Sequence, residues 1–384
     1  MANMFDYLDW RGDISFAASP FNRVDNLILA YISYVELDDF FSADSSMTLA
    51  ETANRFFALH TEESVHAKAS FIKNAAFVLQ KAGQSVRFGG VRLSHYVSRI
   101  DPAAEEQFSA LCMRLSDNTV YVSYRGTDDT IVGWKEDFNM SFITPVPSQL
   151  TAVSYLSDVA KAFHGPLLLG GHSKGGNLAA YAAVCCSDDI KTRIQAVYDN
   201  DGPGFDKSMT QSDAYRAMLP RIDTIVPQSS VIGMLLEHED DYTVVKSTNV
   251  GIMQHDPTSW QVLGTHFETV PELGSGAKLL DASLHAWIGK MDRSQREALV
   301  DILFTVLDAT NANTVGDLTG NAWQTLSSVA STMTHMSAED RTQLTRTIGL
   351  LLTEGGRIVK EHWGEAKPQA ISLAQRTAKE KAPQ

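Results

Sequence analysis

The chain of 384 residues carries only three cysteines, Cys112 and the adjacent pair Cys185 and Cys186. So few thiols exclude a disulfide framework, and their spacing matches no zinc site. A reducing, cytoplasmic setting is the expectation. Basic residues are also scarce, with 32 Lys and Arg against 46 Asp and Glu and a formal charge of -14. That balance repels nucleic-acid phosphates and anionic membrane surfaces, and no basic patch interrupts it, so no nucleic-acid partner is expected. Long apolar runs are missing too. ALVDILFTVL at 298–307 is broken by Asp301 and falls well short of the roughly 20 residues that span a bilayer. The opening MANMFDYLDWRGD lacks the basic start and apolar core of a secretory signal. No fixed-period repeat points to a solenoid. Neither a P-loop, nor Gly-x-Gly-x-x-Gly, nor a helical zinc pair of histidines occurs, and EHEDD at 237–241 lacks the regular ligand spacing of a calcium loop. Neither cofactor nor metal is expected.

What remains is a globular composition, 44% hydrophobic and 20% charged, on a chain long enough for one large α/β domain with an addition. Residues 1 to about 110 read as mainly helical: NLILAYISYVELDDFF (26–41) and the segment from His66 to Lys81 place apolar residues three and four apart, the helical period. From about 117 to 265 short apolar or β-branched runs alternate with helical patterns. TVYVSY (119–124), PLLLG (166–170), IQAVYD (194–199) and YTVVKS (242–247) read as strands of a mainly parallel sheet, buried on both faces. Beyond 275 the helical pattern returns. The expected organisation is an α/β domain over 1–274 with a helical N-terminal cover, and a helical extension over 275–384 whose apolar stripes suit internal packing or a homo-oligomer interface.

LLLGGHSKGGNLAAYAA (167–183) concentrates the chemistry. A serine hydroxyl is a poor nucleophile unless a base takes its proton and the backbone holds it clear for a carbonyl to approach. In Gly171-His172-Ser173-Lys174-Gly175 the glycines stand two residues either side of the serine, after a buried-type strand and before a helix, the context that the nucleophile-elbow motif requires. The plainer reading is a serine that caps a helix in a glycine-rich connection. An elbow supplies one oxyanion donor, the backbone N–H of Lys174; the second must come from a loop after an earlier strand. TVYVSYRGTDD places that loop at 125–129, with Thr127 as candidate; alternatively Gly126 merely permits a bend there.

These residues resemble a family. YRGTDDTIVGWKEDF, followed some 45 residues later by GHSKGG, is similar to the class 3 lipases, with their Arg-Gly-Ser/Thr loop, downstream Trp and Asp, and Gly-His-Ser-x-Gly-Gly elbow. DWRGDISF (9–16), DNDGPGF (199–205), VPQSSVIGMLLEHEDDYTVVKS (226–247) and QHDPTSWQV (254–262) resemble the narrower bacterial Mbeg-like hydrolase family. The likeness runs from about 9 to 265. It implies an α/β-hydrolase fold and a serine nucleophile but does not carry a substrate; a carboxylic ester or lipid-type acyl compound, in a pocket roofed by the flanking helices, is the expected small-molecule substrate. Lys174 stands where class 3 lipases often carry leucine; its side chain is expected to face solvent from the first helical turn.

In α/β-hydrolases the order along the chain is nucleophile, acid, histidine. His238, His255, His266, His285, His335 and His362 all follow Ser173. His255, delivered from the strand YTVVKS by the short connection NVGIMQ, is the expected base, with His266 as the fallback. Asp201 opens the turn DGPGF after the strand IQAVYDN and is the expected acid. Its rival Asp223 lies one residue off the acid of the Asn-Asp-Ile-Val-Pro-like stretch of class 3 lipases, and Asp199 stays open. The competing class of function is a non-catalytic α/β-hydrolase scaffold that binds a ligand or a protein partner.

Overall fold

The structure, a computed structural model, describes residues 1–274 apart from 43, 68–71, 129–130, 141–143, 231–232, 234–241 and 250. The expected helical extension over 275–384, with His285, His335 and His362, lies outside the described residues, as does His238.

Eight strands form one sheet in the order of the sequence: β1 (Ser46–Thr48), β2 (Arg92–Asp101), β3 (Glu106–Arg114), β4 (Val120–Tyr124), β5 (Leu167–His172), β6 (Ile194–Asn200), β7 (Ile222–Pro227) and β8 (Tyr242–Val245). β1 to β4 pair antiparallel, and β4 to β8 run parallel. The chain is thus an α/β protein. Strands laid down side by side with crossovers of one hand put their connections on one face of the sheet. Helices α7 (Pro147–Ala162) and α8 (Lys174–Cys185) pack there, and strand side chains alternate between the two sides. Val120, Val122, Leu167 and Leu169 share a core with Leu156, Val159 and Leu178 of those helices. Tyr121 and Leu168 point the other way, into a core with Leu27 and Ile28 of α2 (Arg23–Ile32) and Val78 and Leu79 of α5 (Asn74–Gly83).

The N-terminal hundred residues correct the helical reading in three places. Residues 92–114 form the hairpin of β2 and β3. Every residue of β3 from Glu106 to Met113 is buried, so the two-residue alternation that marks a half-exposed strand is absent and the run imitates a helix face. The stretch 26–41 is helical only to Ile32; Val35, Leu37 and Phe41 enter the core from turns instead. The segment 66–81 holds the end of one helix, Glu62–Ala67, and most of α5. A strand that the pattern search passes over is β7, whose IDTIVP is framed by prolines.

Candidate active site

The C-terminal ends of the five parallel strands deliver the serine, the histidine-carboxylate pair and the loop beside them, at the edge where open parallel sheets place their ligands. Thr127 follows β4, Ser173 follows β5, Asp201 follows β6, Ser230 follows β7, and His255 ends a short 3-10 turn (Gly251–His255) beyond β8.

Ser173 sits between β5 and α8 with φ 59° and ψ -136°, a region that a residue with a side chain occupies only under strain. A Cβ on Gly171 would lie 2.2 Å from the carbonyl carbon of Gly175, and one on Gly175 would lie 2.1 Å from the carbonyl oxygen of Tyr124. The bend therefore closes only with glycine at both places. Ser173 makes no side-chain capping bond to α8, which removes the helix-cap reading, and it stays partly exposed. The loop after β4 abuts it: a Cβ on Gly126 would meet the His172 carbonyl oxygen at 2.4 Å and Ser173 Cβ at 3.1 Å.

His255 and Asp201, 54 residues apart, meet with Nδ1 to Oδ2 at 2.6 Å. The Asp201 side chain is fully buried, whereas the imidazole is a quarter exposed. Asp201 takes φ 56°, and its N–H donates to the carbonyl of Ile225 at 2.8 Å. Its second oxygen accepts from Ser230 Oγ and, at 3.2 Å, from the Gly233 N–H. The His255 turn is tied down by the buried Trp260, whose Nε1 donates to the Gln254 carbonyl at 2.8 Å, and by Gln254 Oε1, which accepts from the Ser229 N–H at 2.8 Å. The neighbouring Asp256 caps the next short turn through Thr258.

His172, next to Ser173, holds this imidazole against the elbow. Their rings lie 4.4 Å apart, and His172 Nε2 is 2.8 Å from the His255 carbonyl oxygen. A carbonyl only accepts, so Nε2 carries the proton and Nδ1 accepts from the Tyr34 hydroxyl at 3.1 Å. Burial, then the nearby His255, pushes the His172 pKa well below the ordinary imidazole value.

Thr127 Oγ1 donates to Asp137 Oδ2. Burial raises the pKa of Asp137 to about 6, against the lowering pull of Lys174 and Thr127. Lys174 corrects the sequence expectation of a solvent-facing side chain. It is fully buried, and Nζ donates to the Gln107 carbonyl at 2.9 Å, Gln107 Oε1 at 2.7 Å and Glu136 Oε2 at 2.9 Å. The first turn of α8 faces β3 and α6 (Ile131–Asn139), and the three acceptors match the three ammonium protons.

The other sequence candidates lie elsewhere. Asp223 sits near the opposite end of β7 in a two-pronged pair with Arg23, at 2.6 and 2.7 Å. His266 is exposed in a short two-stranded ribbon. Asp199, on β6, receives the Gly202 N–H at 2.9 Å. Sequence reading missed Ser230, which bonds Asp201, His172, which bonds the His255 carbonyl, and Tyr34, which bonds His172. Of these only His172 was visible, as part of the elbow motif. Among the described residues no cluster of His, Cys, Asp and Glu could hold a metal, and no helix is long and apolar enough to cross a membrane.

A parallel sheet with an elbow at one edge and a histidine-carboxylate pair beside it defines a class of α/β proteins. Residues 82–305 match the Mbeg1-like family, and the chain belongs to it. Among curated proteins none matches. The distantly similar solved structures include two lipases. The native Rhizomucor miehei lipase propeptide complex has 15% identity and a TM-score of 0.33 over 63% of this chain and 81% of that one. M37 lipase has 15% identity and a TM-score of 0.30 over 46% of this chain and 70% of that one.

Proposed function

We propose that this chain is a serine hydrolase that cleaves a carboxylic ester or lipid-type acyl substrate through an acyl-enzyme. The observation that carries the reading is the 2.6 Å contact between His255 Nδ1 and the buried Asp201 carboxylate, beside a serine held at φ 59°. Asp201 keeps the proton on Nδ1, which leaves Nε2 free to accept the Ser173 hydroxyl proton as Oγ attacks the acyl carbonyl. The backbone N–H groups of Thr127 and Lys174 receive the oxyanion, each such donor being worth about 2.7 to 4 kcal/mol of barrier. His255 returns the proton to the departing alcohol. Water, deprotonated by the same imidazole, then releases the carboxylic acid and restores Ser173. The α/β-hydrolase fold with its N-terminal helical cover belongs to the same proposal, as does a cytoplasmic location, with which three free cysteines are consistent.

A fluorophosphonate probe tests the reading directly. Wild type should be labelled and Ser173→Ala should not; equal labelling of the two overturns it. A panel of p-nitrophenyl esters from acetyl to palmitoyl then reads the acyl preference. A chain that neither labels nor turns over any ester is a binding scaffold.

A further inference from the structure

At the opposite end of the sheet from Ser173, a cavity of about 300 Å³ opens between β1, β2, β3 and the end of α7. Arg114 pairs with Val120, the first residue of β4, which in turn pairs with Leu167, the first residue of β5. The cavity therefore lies a full strand length from the elbow. Its floor is set by register. Arg92 is the cross-strand partner of Arg114, Ser94 that of Cys112, and Ser46 that of Ser94. Residues two apart on a strand share a face, so both guanidinium groups and the Ser46 and Ser94 hydroxyls stand on one side of the sheet edge.

Two arginines directly opposite each other on antiparallel strands repel. Among the described residues neither forms an ion pair, and the Arg92 guanidinium reaches only Ser46 Oγ, at 3.5 Å. The acids nearby do not resolve this. Asp44 lines the rim but lies beyond ion-pair distance of both, and the Glu51 carboxylate, which feels Arg92, is held by Thr48 in the cap of the helix Leu49–Leu59. A bulge between Ser94 and Val97 leaves His95 at φ 54°. This strained residue keeps its ring in the same cavity, Nδ1 3.0 Å from Ser94 Oγ and the ring 5.3 Å from Phe163.

The geometry points to a second ligand site here, for a soluble phosphate monoester. Its phosphate would lie between Arg92 and Arg114 with the Ser46 and Ser94 hydroxyls as further donors, and its organic part would lie against Phe163. Guanidinium pairs meet phosphate oxygens in two-pronged fashion. A dianion there converts the repulsion within the Arg92–Arg114 pair into attraction. The site is independent of the acyl chemistry proposed for Ser173.

The test is calorimetric titration of the full chain with inorganic phosphate, with glycerol 3-phosphate, and with vesicles of phosphatidic acid. Saturable one-to-one binding of both soluble ligands is expected. Arg92→Gln and Arg114→Gln should each weaken it at least tenfold, and Ser173→Ala should leave it within twofold. A second readout guards against misfolding: in phosphate-free buffer Arg114→Gln should unfold at a higher temperature than wild type, and its Tm should no longer rise with added phosphate. The proposal falls if no soluble phosphate binds saturably, if only vesicles bind, if both arginine variants bind like wild type, or if Ser173→Ala abolishes binding.

Discussion

Lys174 and Glu136 form an ion pair 2.9 Å long in which neither side chain touches solvent, immediately beyond Ser173. Glu136 also accepts the N–H of Gln107 at 3.0 Å and that of Ser148 at 2.9 Å. One carboxylate thus ties β3, α6, α7 and α8 together behind the elbow. Removing one partner of such a pair leaves an uncompensated buried charge, which costs about 3 to 5 kcal/mol, whereas replacing both is often close to neutral. Lys174→Met should lose stability of that order in urea unfolding, and Lys174→Met with Glu136→Gln should recover part of it. A single variant within about 1 kcal/mol of wild type would show that the pair does not brace the elbow.

Asp201→Asn preserves shape and inverts hydrogen bonding. The amide can keep its oxygen on the Ser230 hydroxyl only by turning its NH2 toward His255, which then holds Nδ1 as an acceptor and places its proton on Nε2. If the three residues act as proposed, the wrong tautomer should lower kcat by about 10⁴-fold. Ester turnover with KM little changed is the expected pattern. Wild-type kcat in Asp201→Asn would assign the acid elsewhere.

Two glycines make a matched pair of substitutions. Gly175→Ala pushes a methyl to 2.1 Å from a backbone oxygen, while a Cβ on Gly90 meets nothing within 4 Å. Gly175→Ala should cost several-fold more stability than Gly90→Ala and abolish probe labelling in whatever folds. Comparable thermal midpoints and labelling for the two would refute the tight-bend account.

Asp137 supplies a pH signature. Its folded pKa of about 6 lies above the ordinary carboxyl value of 3.8, so the unfolded chain releases this proton first as pH rises. The stabilisation from the neutral carboxyl is fully present below about 3.8, declines between 3.8 and 6, and is gone above 6. Asp137→Asn, which can still accept from Thr127, should therefore be more stable than wild type above pH 6, with the advantage vanishing near pH 4. Thermal midpoints at pH 4 and pH 8 that shift equally would contradict this.

Much of the site could be read along the chain because its chemistry is local. The elbow needs glycine on both sides of Ser173 for reasons of backbone space, and Asp201 and His255 each follow a strand closely enough for their edge to be inferred. β4, β5, β6 and β8 announced themselves as short apolar runs. β3 did not, since burial on both faces erases alternation. Lys174 was misread because helix position predicts exposure only when the partner surface is known, and here that surface is Gln107 and Glu136, contributed from 67 and 38 residues away. Tyr34 and Ser230 carry no local pattern at all; only the packed fold brings them to His172 and Asp201.

The sequential strand order has a practical corollary for anyone who would trim the chain to its family match at residue 82. Such a fragment would lose Leu27, Ile28, Val78 and Leu79, leaving Tyr121, Leu168 and Ile225 on the reverse side of the sheet without those partners. It would also forfeit Tyr34, the phenol behind His172. The first eighty residues therefore supply much of one of the two large cores among the described residues, and a shortened version should come out of cells as aggregate rather than as a smaller folded protein.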